Sequence, residues 1–391
     1  MRVFDIDGTR VADDLPPYIV AEIGHNHAHR MERAFAMVDS AIASGASAVK
    51  FQTRSPEETY QAGTMQGAYH YQSDNPQWMD PVYGEHRKKL EPTKDEWREL
   101  FNYCQSNQIT AFSTPFDFAS LELLESIGVP AYKVASGDAT NIPFIRAIAE
   151  IGKPTIISTG GIFQPDVDRI VDEFARAVPA SIWDWNMRLA LLQCTCVYPC
   201  PSEAMNLKVI STYRDRYQGL TVGLSTHNPS WYPSLAAYGL GARIFEHHYT
   251  NNQQWKGTDN HFSLTPTSLT EFVKALGEAH AAMGTNYKSR DEIERGPTYE
   301  RQKSLVWARR VGEFETITRD DIKIQCPGNG LPPYYLDLIV GKQTSCTTDM
   351  NALVGWQDIL IRNRDVPEFE KAALRAARGD LDFGRVPAKV K

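Results

Sequence analysis

Short apolar runs recur along the first two thirds of the chain, separated by stretches in which apolar residues return every three to four positions. The runs at 18–23, 48–52, 110–113, 131–134, 155–158, 189–193, 221–225 and 244–248 are continuous or nearly so. A strand buried on both faces reads this way, because neither side meets water. Between the runs, residues 31–44 place Ala34, Val38, Ala41 and Ile42 on one helical face, and 120–127 and 142–151 repeat that periodicity. Gly128, Gly152 and Gly241 follow helical stretches as stop signals. Eight strand-then-helix units in about 270 residues predict an α/β fold, a closed (β/α)8 TIM barrel over 18–285 rather than an open doubly wound sheet. No GxGxxG turn follows a strand, so a dinucleotide-binding domain is not supported.

Three regions break the alternation. At the start, Asp7-Gly8 lies between short alternating segments and predicts an N-terminal hairpin over 1–17 that plugs the bottom of the barrel. The same stretch, Asp5-Ile6-Asp7-Gly8-Thr9, matches the nucleophile motif of haloacid-dehalogenase-like phosphatases, but that fold needs a Rossmann-like sheet after the motif. A long polar insertion at 53–92 carries Tyr60, Tyr69, Tyr71, Trp78 and Tyr83. At the mouth of a barrel it reads as a substrate-covering loop, or as an excursion packing on the barrel or a partner chain. After residue 285, a polar linker at 286–298 leads to short strand-like pieces at 299–361, which form a small domain around the turn Pro327-Gly328-Asn329-Gly330. The tail at 362–391 is highly charged, with a short amphipathic helix expected at 368–377.

Composition narrows the function. The 391 residues are 42% hydrophobic and 23% charged, which excludes disorder as the main state. The net charge of −7 disfavours general nucleic-acid binding, which needs a basic face, while leaving room for a local basic pocket. No apolar run is long enough to span a membrane, and the acidic N-terminus lacks an apolar signal core, so a cytoplasmic protein with reduced thiols is expected. The cluster Cys194, Cys196 and Cys200 has no second matching knuckle, so structural zinc is not expected.

In a barrel, chemistry gathers at the C-terminal ends of the strands. Those ends carry Glu22 with Asn26 and His27, Lys50 and Gln52, Ser113 and Thr114, and Lys133 with Ser136 and Asp138. The ring continues with Ser158 and Thr159, Gln193 with Thr195, Cys196 and Tyr198, Ser225 and His227, then Glu246 and His248. Two lysines among hydroxyls suit a phosphate or a phosphorylated carboxylate. His227 and His248 end adjacent strands and suit a divalent cation with open positions, the alternative being ordinary hydrogen-bonded histidines.

These segments resemble the sialic acid synthase family. The resemblance rests on Ile19-Val-Ala-Glu-Ile-Gly24 with Asn26-His27, Gly45 to Gln52, Phe112 to Phe116 and Val129 to Asp138. It continues through Ile157 to Gly160, Leu192 to Thr195 with Tyr198-Pro199, Val222 to His227, Glu246-His-His248, Lys256 to Asp259 and Pro327 to Gly330, the last similar to the turn of the family's antifreeze-protein-like domain. It covers residues 18–361 in order. It implies a barrel that condenses phosphoenolpyruvate with an aldose or N-acylhexosamine, giving a nonulosonate. It further implies Mn2+ or Mg2+ as cofactor, and a domain-swapped homodimer in which the small domain caps the other chain's barrel. Lys50, Gln52, Thr114, Lys133, Ser136 and Ser225 are the implied phosphoenolpyruvate contacts, and His227 and His248 the metal ligands. Glu22, Tyr198 and Asp259 are the implied sugar contacts, with Glu22, Asp138 and Asp259 as catalytic carboxylates.

Four positions depart from the family pattern: Asp138 where Glu is common, Cys196 for Asn, Gly161 for Met, and Cys326 for an Arg that reaches the sugar. Arg54 and Arg87 are candidates to replace that guanidinium. The competing reading is a non-catalytic sugar-phosphate binder on the same scaffold.

Overall fold

The computed structural model describes residues 2–66, 82–182 and 184–361. Tyr69, Tyr71 and Trp78 of the insertion, and the whole tail with the helix expected at 368–377, lie outside the described residues. The chain divides into two compact units, Met1–Gly284 and Thr285–Lys391.

The first unit opens with a two-stranded antiparallel hairpin, β1 (Val3–Ile6) and β2 (Thr9–Ala12), with Ile6 opposite Thr9. Asp7 and Gly8 both take positive φ, 53° and 74°, which a two-residue hairpin turn following the strand twist requires. Eight parallel strands follow: β3 (Tyr18–Gly24), β4 (Ala48–Thr53), β5 (Thr110–Pro115), β6 (Tyr132–Val134), β7 (Thr155–Ser158), β8 (Leu189–Gln193), β9 (Thr221–Thr226) and β10 (Ile244–His248). They close into a barrel in sequence order, with β10 pairing back to β3.

Two apolar layers hold the barrel. Outward residues such as Ile19, Ala21, Val49 and Phe51 pack on the surrounding helices, among them Met31–Ala43, Lys94–Ser106 and Ile142–Ile151. Lys94–Ser106 starts at Thr93, whose hydroxyl accepts from the Glu96 N–H while Glu96 Oε2 accepts from the Thr93 N–H, a reciprocal cap. Inside, Tyr18, Val20, Ala48, Phe112, Ala131, Ile156, Ala190, Leu192 and Ile244 meet Phe4, Ile6 and Val11 of the hairpin. The hairpin therefore seals the N-terminal end of the barrel. Asp7 sits there too, its Oδ2 accepting from Thr110 Oγ1 at 3.0 Å at the start of β5. The phosphatase-like motif thus marks a turn at the end opposite the strand termini that carry chemistry. One inner position admits only glycine: a β-carbon on Gly223 would lie 2.2 Å from the Ile244 carbonyl oxygen and 2.5 Å from Leu192 Cδ2.

The second unit has its own core of Leu305, Trp307, Val311, Ile317, Ile339 and Trp356. It contains the antiparallel pairs β11 (Ser304–Trp307) with β12 (Ile322–Gln325) and β13 (Gln343–Thr344) with β14 (Ile359–Leu360). The helix Arg295–Arg301 occupies part of the segment expected to be plain linker. Ser304 Oγ donates to the Pro327 carbonyl at 2.7 Å and accepts from the Gly330 N–H at 2.8 Å, pinning the Pro-Gly-Asn-Gly turn to β11. No helix among the described residues is long and apolar enough to cross a membrane.

Candidate active site

Side chains on one face of a strand recur every second residue. Along the inner face, each strand begins apolar and ends polar. β3 runs Tyr18, Val20, Glu22; β4 runs Ala48, Lys50, Gln52; β10 runs Ile244, Glu246, His248. Phe112 is followed by Thr114, Ala131 by Lys133, Ile156 by Ser158 and Gly223 by Ser225. The polar ends converge on one cavity of about 410 Å³ at the C-terminal mouth.

Charge at its base is paired through a lysine–glutamate chain. Lys50 Nζ lies 2.9 Å from Glu22 Oε2 and 3.7 Å from Glu246 Oε2, and Lys133 Nζ lies 3.8 Å from Glu246 Oε1. All four side chains are buried. Burial pulls both ammonium groups down, but the two carboxylates around Lys50 outweigh it and raise its pKa. Lys133 has less compensation and the Lys50 charge beside it, so its pKa stays lowered. Thr114 Oγ1 accepts from Lys50 at 2.9 Å, and Ser225 Oγ donates to Glu246 Oε1 at 3.0 Å. Glu246 Oε2 and His248 Nδ1 are buried without a hydrogen-bond partner, their nearest opposite charges lying 3.7 Å and 3.6 Å away. Such atoms cost about 1–3 kcal/mol each when nothing satisfies them, so they mark where a ligand is received.

The two histidines lie side by side at the mouth, at the ends of the paired strands β9 and β10, with ring centroids 5.3 Å apart. His227 Nδ1 lies 3.1 Å from the Thr195 carbonyl oxygen, which fixes the proton on Nδ1 and leaves Nε2 with its lone pair. Burial, and then the neighbouring His248, hold the His227 pKa down at about 3, so the ring is neutral. His248 Nδ1 lies 3.6 Å from Asp259 Oδ2. A neutral imidazole backed by an oxygen acceptor, as His227 is, is the usual form of metal-binding histidine. Among the described residues no group of three or more His, Cys, Asp and Glu is arranged to hold a metal unaided. His227 and His248 are the two imidazoles at the mouth that could hold a divalent cation, with water and substrate oxygens needed for the remaining positions. The Tyr198 ring stacks on His227 at 3.8 Å between centroids.

Of the sequence-predicted residues, Glu22, Lys50, Gln52, Thr114, Lys133, Ser136, Tyr198, Ser225, His227, His248 and Asp259 all line this cavity. Asp138 does not. The 3-10 turn Ser136–Asp138 directs it to an adjoining cavity of about 490 Å³, with Glu58, Phe118 and Asn141, where Asn141 Nδ2 donates to it at 3.2 Å. Asn26 and Gln193 serve as framework, donating to the carbonyls of Tyr249 and Met205. Glu246, which sequence reading placed at a strand end without a role, links both lysines. Arg54 and Arg87 both reach the cavity wall. Arg54 lies over the Phe116 ring and donates to Gln52 Oε1 at 2.7 Å and Tyr60 at 3.2 Å.

Residues 37–288 match the NeuB family. The chain is 31% identical to N-acetylneuraminate-9-phosphate synthase of Homo sapiens over 344 residues, covering 88% of this chain and 92% of that protein. It is 31% identical to N,N'-diacetyllegionaminic acid synthase of Legionella pneumophila, covering 88% and 94%. Among solved structures, N-acetylneuraminic acid synthetase from Leptospira borgpetersenii, in complex with citrate, superposes with a TM-score of 0.65 at 27% identity, covering 76% of this chain and 95% of that one. Barrel, mouth and sequence agree: the chain belongs to the NeuB family of sialic acid synthase-like proteins.

Proposed function

We propose that this protein is a nonulosonate synthase that condenses phosphoenolpyruvate with an N-acylhexosamine or related aldose. The products are a 2-keto sugar acid and inorganic phosphate, with one water consumed and the enol C–O bond broken. The reading is carried by the buried pair Lys50 and Lys133, at the ends of β4 and β6 on either side of β5, with Thr114, Ser136 and Ser225, in the same cavity as His227 and His248. The names of the human and Legionella relatives support the product class.

In this proposal Lys50 and Lys133 hold the carboxylate and phosphate of phosphoenolpyruvate through charge-assisted hydrogen bonds. Glu22 is held at both oxygens, Gln52 Nε2 donating to its Oε1 at 2.8 Å and Lys50 Nζ lying 2.9 Å from its Oε2, so the carboxylate is fixed at the cavity wall. As the methylene carbon bonds to the aldehyde carbon, positive charge grows at the enol carbon, and Glu22 and Glu246 stabilise it electrostatically. Water adds at that carbon and the tetrahedral adduct expels phosphate. Glu22 and Asp259, rather than Asp138, are the carboxylates with access to move that proton, since both line the cavity. A divalent cation, Mn2+ or Mg2+, on His227 and His248 would supply Lewis-acid polarisation of the aldehyde oxygen. Tyr198 and Asp259 then orient the sugar, and Arg54 and Arg87 provide cations on this chain's own barrel where Cys326 replaces a family arginine. The small domain acts as a cap on the other barrel of a homodimer, excluding water.

The test is phosphate release from phosphoenolpyruvate with manganese and a panel of hexosamines and hexoses. Release that requires both substrates is expected. Binding of both without turnover would favour the non-catalytic sugar-phosphate binder, and release without an aldose would overturn the condensation.

A further inference from the structure

The inner face of β8 continues past the strand. Ala190 and Leu192 belong to the apolar floor, and Cys194 and Cys196, on the same alternation, line the cavity. Cys194 is buried and Cys196 is exposed. Both thiols interact with each other and with Ser136. A β-carbon on Gly160 would lie 2.6 Å from Cys196 Sγ and 2.9 Å from Ser136 Oγ, so this sulfur rests directly against the Gly160 backbone. No step of the condensation uses either sulfur.

We propose that Cys194 and Cys196 form an oxidisable dithiol in the cavity wall that reacts with small hydroperoxides. The Cys196 thiolate attacks a peroxide oxygen; the O–O bond breaks, the alkoxide or hydroxide leaves with a proton, and Cys196 becomes a sulfenic acid. The Cys194 thiol then attacks the Cys196 sulfur; an S–S bond forms, the S–O bond breaks, and water leaves. In sum, two thiols are oxidised by two electrons while one hydroperoxide becomes an alcohol and a water.

The order of attack follows from the surroundings. The hydrogen bond from Cys194, followed by that from Ser136 and the Lys133 charge, draws the Cys196 thiol down to about 6, against the effect of its partial burial. The same hydrogen bond, together with burial, pushes Cys194 up. Cys196 is therefore the nucleophile and Cys194 the resolving thiol. Two residues of extended chain span about 6.6–7.2 Å, near or above the roughly 6.8 Å limit for bridged cysteines. Bond closure must therefore bend the chain at Thr195. The Thr195 carbonyl accepts from His227 Nδ1, so oxidation disturbs the group that orients that ring.

The test uses the full chain, reduced, freed of reductant, treated with stoichiometric hydrogen peroxide, alkylated and digested with trypsin. The peptide 189–208, which carries Cys194, Cys196 and Cys200, is expected to lose about 2 Da and two alkylation sites, restored by dithiothreitol. This must occur before Cys326 or Cys346 reacts. In Cys194→Ser, oxidation is expected to stop at a Cys196 sulfenic acid that a 1,3-dione traps. Prior oxidation of any other cysteine, a bridge to Cys200, or an unchanged 189–208 peptide would overturn the proposal. The parent peptide decides the matter even if the variant does not fold.

Discussion

The two ends of the barrel are built from the same eight strands and are chemically opposite. At the floor, Tyr18, Ala48, Phe112, Ala131, Ile156 and Ile244 close around Phe4 and Ile6, with no charged side chain in the cluster. Two to four residues further along the same inner faces, the mouth buries Glu22, Lys50, Lys133, Glu246 and His248. Apolar burial at the floor contributes stability. Buried ions at the mouth cost desolvation, which pairing outweighs for Lys50 and Glu246 but only partly offsets for Lys133, and replacing buried ion pairs with apolar residues is often neutral or stabilising. The comparison teaches that the fold rests on the floor, whereas the mouth carries strain that substrate binding is expected to relieve.

The strongest way to break this comparison is to strip the mouth of its cation. If His227 and His248 hold a metal, a chelator should reduce turnover by at least about a thousandfold, as loss of several kcal/mol of Lewis-acid stabilisation implies. Manganese should restore it. His227→Ala and His248→Ala should match the chelated protein while their thermal unfolding stays near that of the parent. Full turnover in the double variant would remove the metal assignment.

The next largest effect separates charge from stability. Lys50→Met leaves Glu22 and Glu246 buried without their shared cation, which should cost about 3–5 kcal/mol in urea unfolding. Adding Glu22→Gln should restore much of that stability without restoring phosphoenolpyruvate use. If both variants unfold like the parent, the lysine–glutamate chain is not a source of strain.

The floor was the more legible end. A both-face-buried strand has few alternative readings, so the eight apolar runs predict the barrel, and Asp7-Gly8 predicts the hairpin. At the mouth, knowing that strand ends carry chemistry was enough to gather Lys50, Thr114, Lys133, Ser225 and His248. It could not orient side chains beyond the strand. The short turn after β6 keeps Ser136 in the main cavity and turns Asp138 into the next one. Nor could spacing show that Glu246 bridges two lysines, because that contact joins β10 to β4 and β6 across the barrel. Cys196 was visible beyond a strand end, in a cysteine cluster and as a departure from a family pattern; its contact with Gly160 needed coordinates.

The floor has its own test. Ile6→Ala removes a fully buried side chain from the plug and should destabilise the protein by about 2–4 kcal/mol, with KM for phosphoenolpyruvate unchanged. A shift in KM without loss of stability would mean the two ends are coupled more tightly than their separate chemistry implies.

The smallest expected effect sharpens the boundary between the mouth and the helical layer around it. Glu91 Oε1 lies 2.9 Å from His25 Nε2 and 3.7 Å from Arg54 Nε, with both carboxylate and imidazole buried. Burial raises the Glu91 pKa to about 7, while Arg54 opposes the rise. Burial, and then the charges of Arg54 and Arg87, hold His25 well below its ordinary value. Between about pH 4.5 and 6.5 the folded pair therefore keeps one proton, on Glu91, and the unfolded pair also keeps one, on His25. Equal proton counts make this pair's contribution to stability nearly flat with pH. Glu91→Gln removes the carboxyl proton from the folded state and leaves the unfolded histidine free to take one. Stability of that variant should then fall as pH drops below about 6.5, by up to about 1.4 kcal/mol per pH unit relative to the parent. Urea midpoints measured from pH 7.5 to 5 for both proteins give the difference directly. Parallel pH profiles would show that the proton is not held where the geometry puts it, and Arg54 would then need another explanation for its place at the cavity wall.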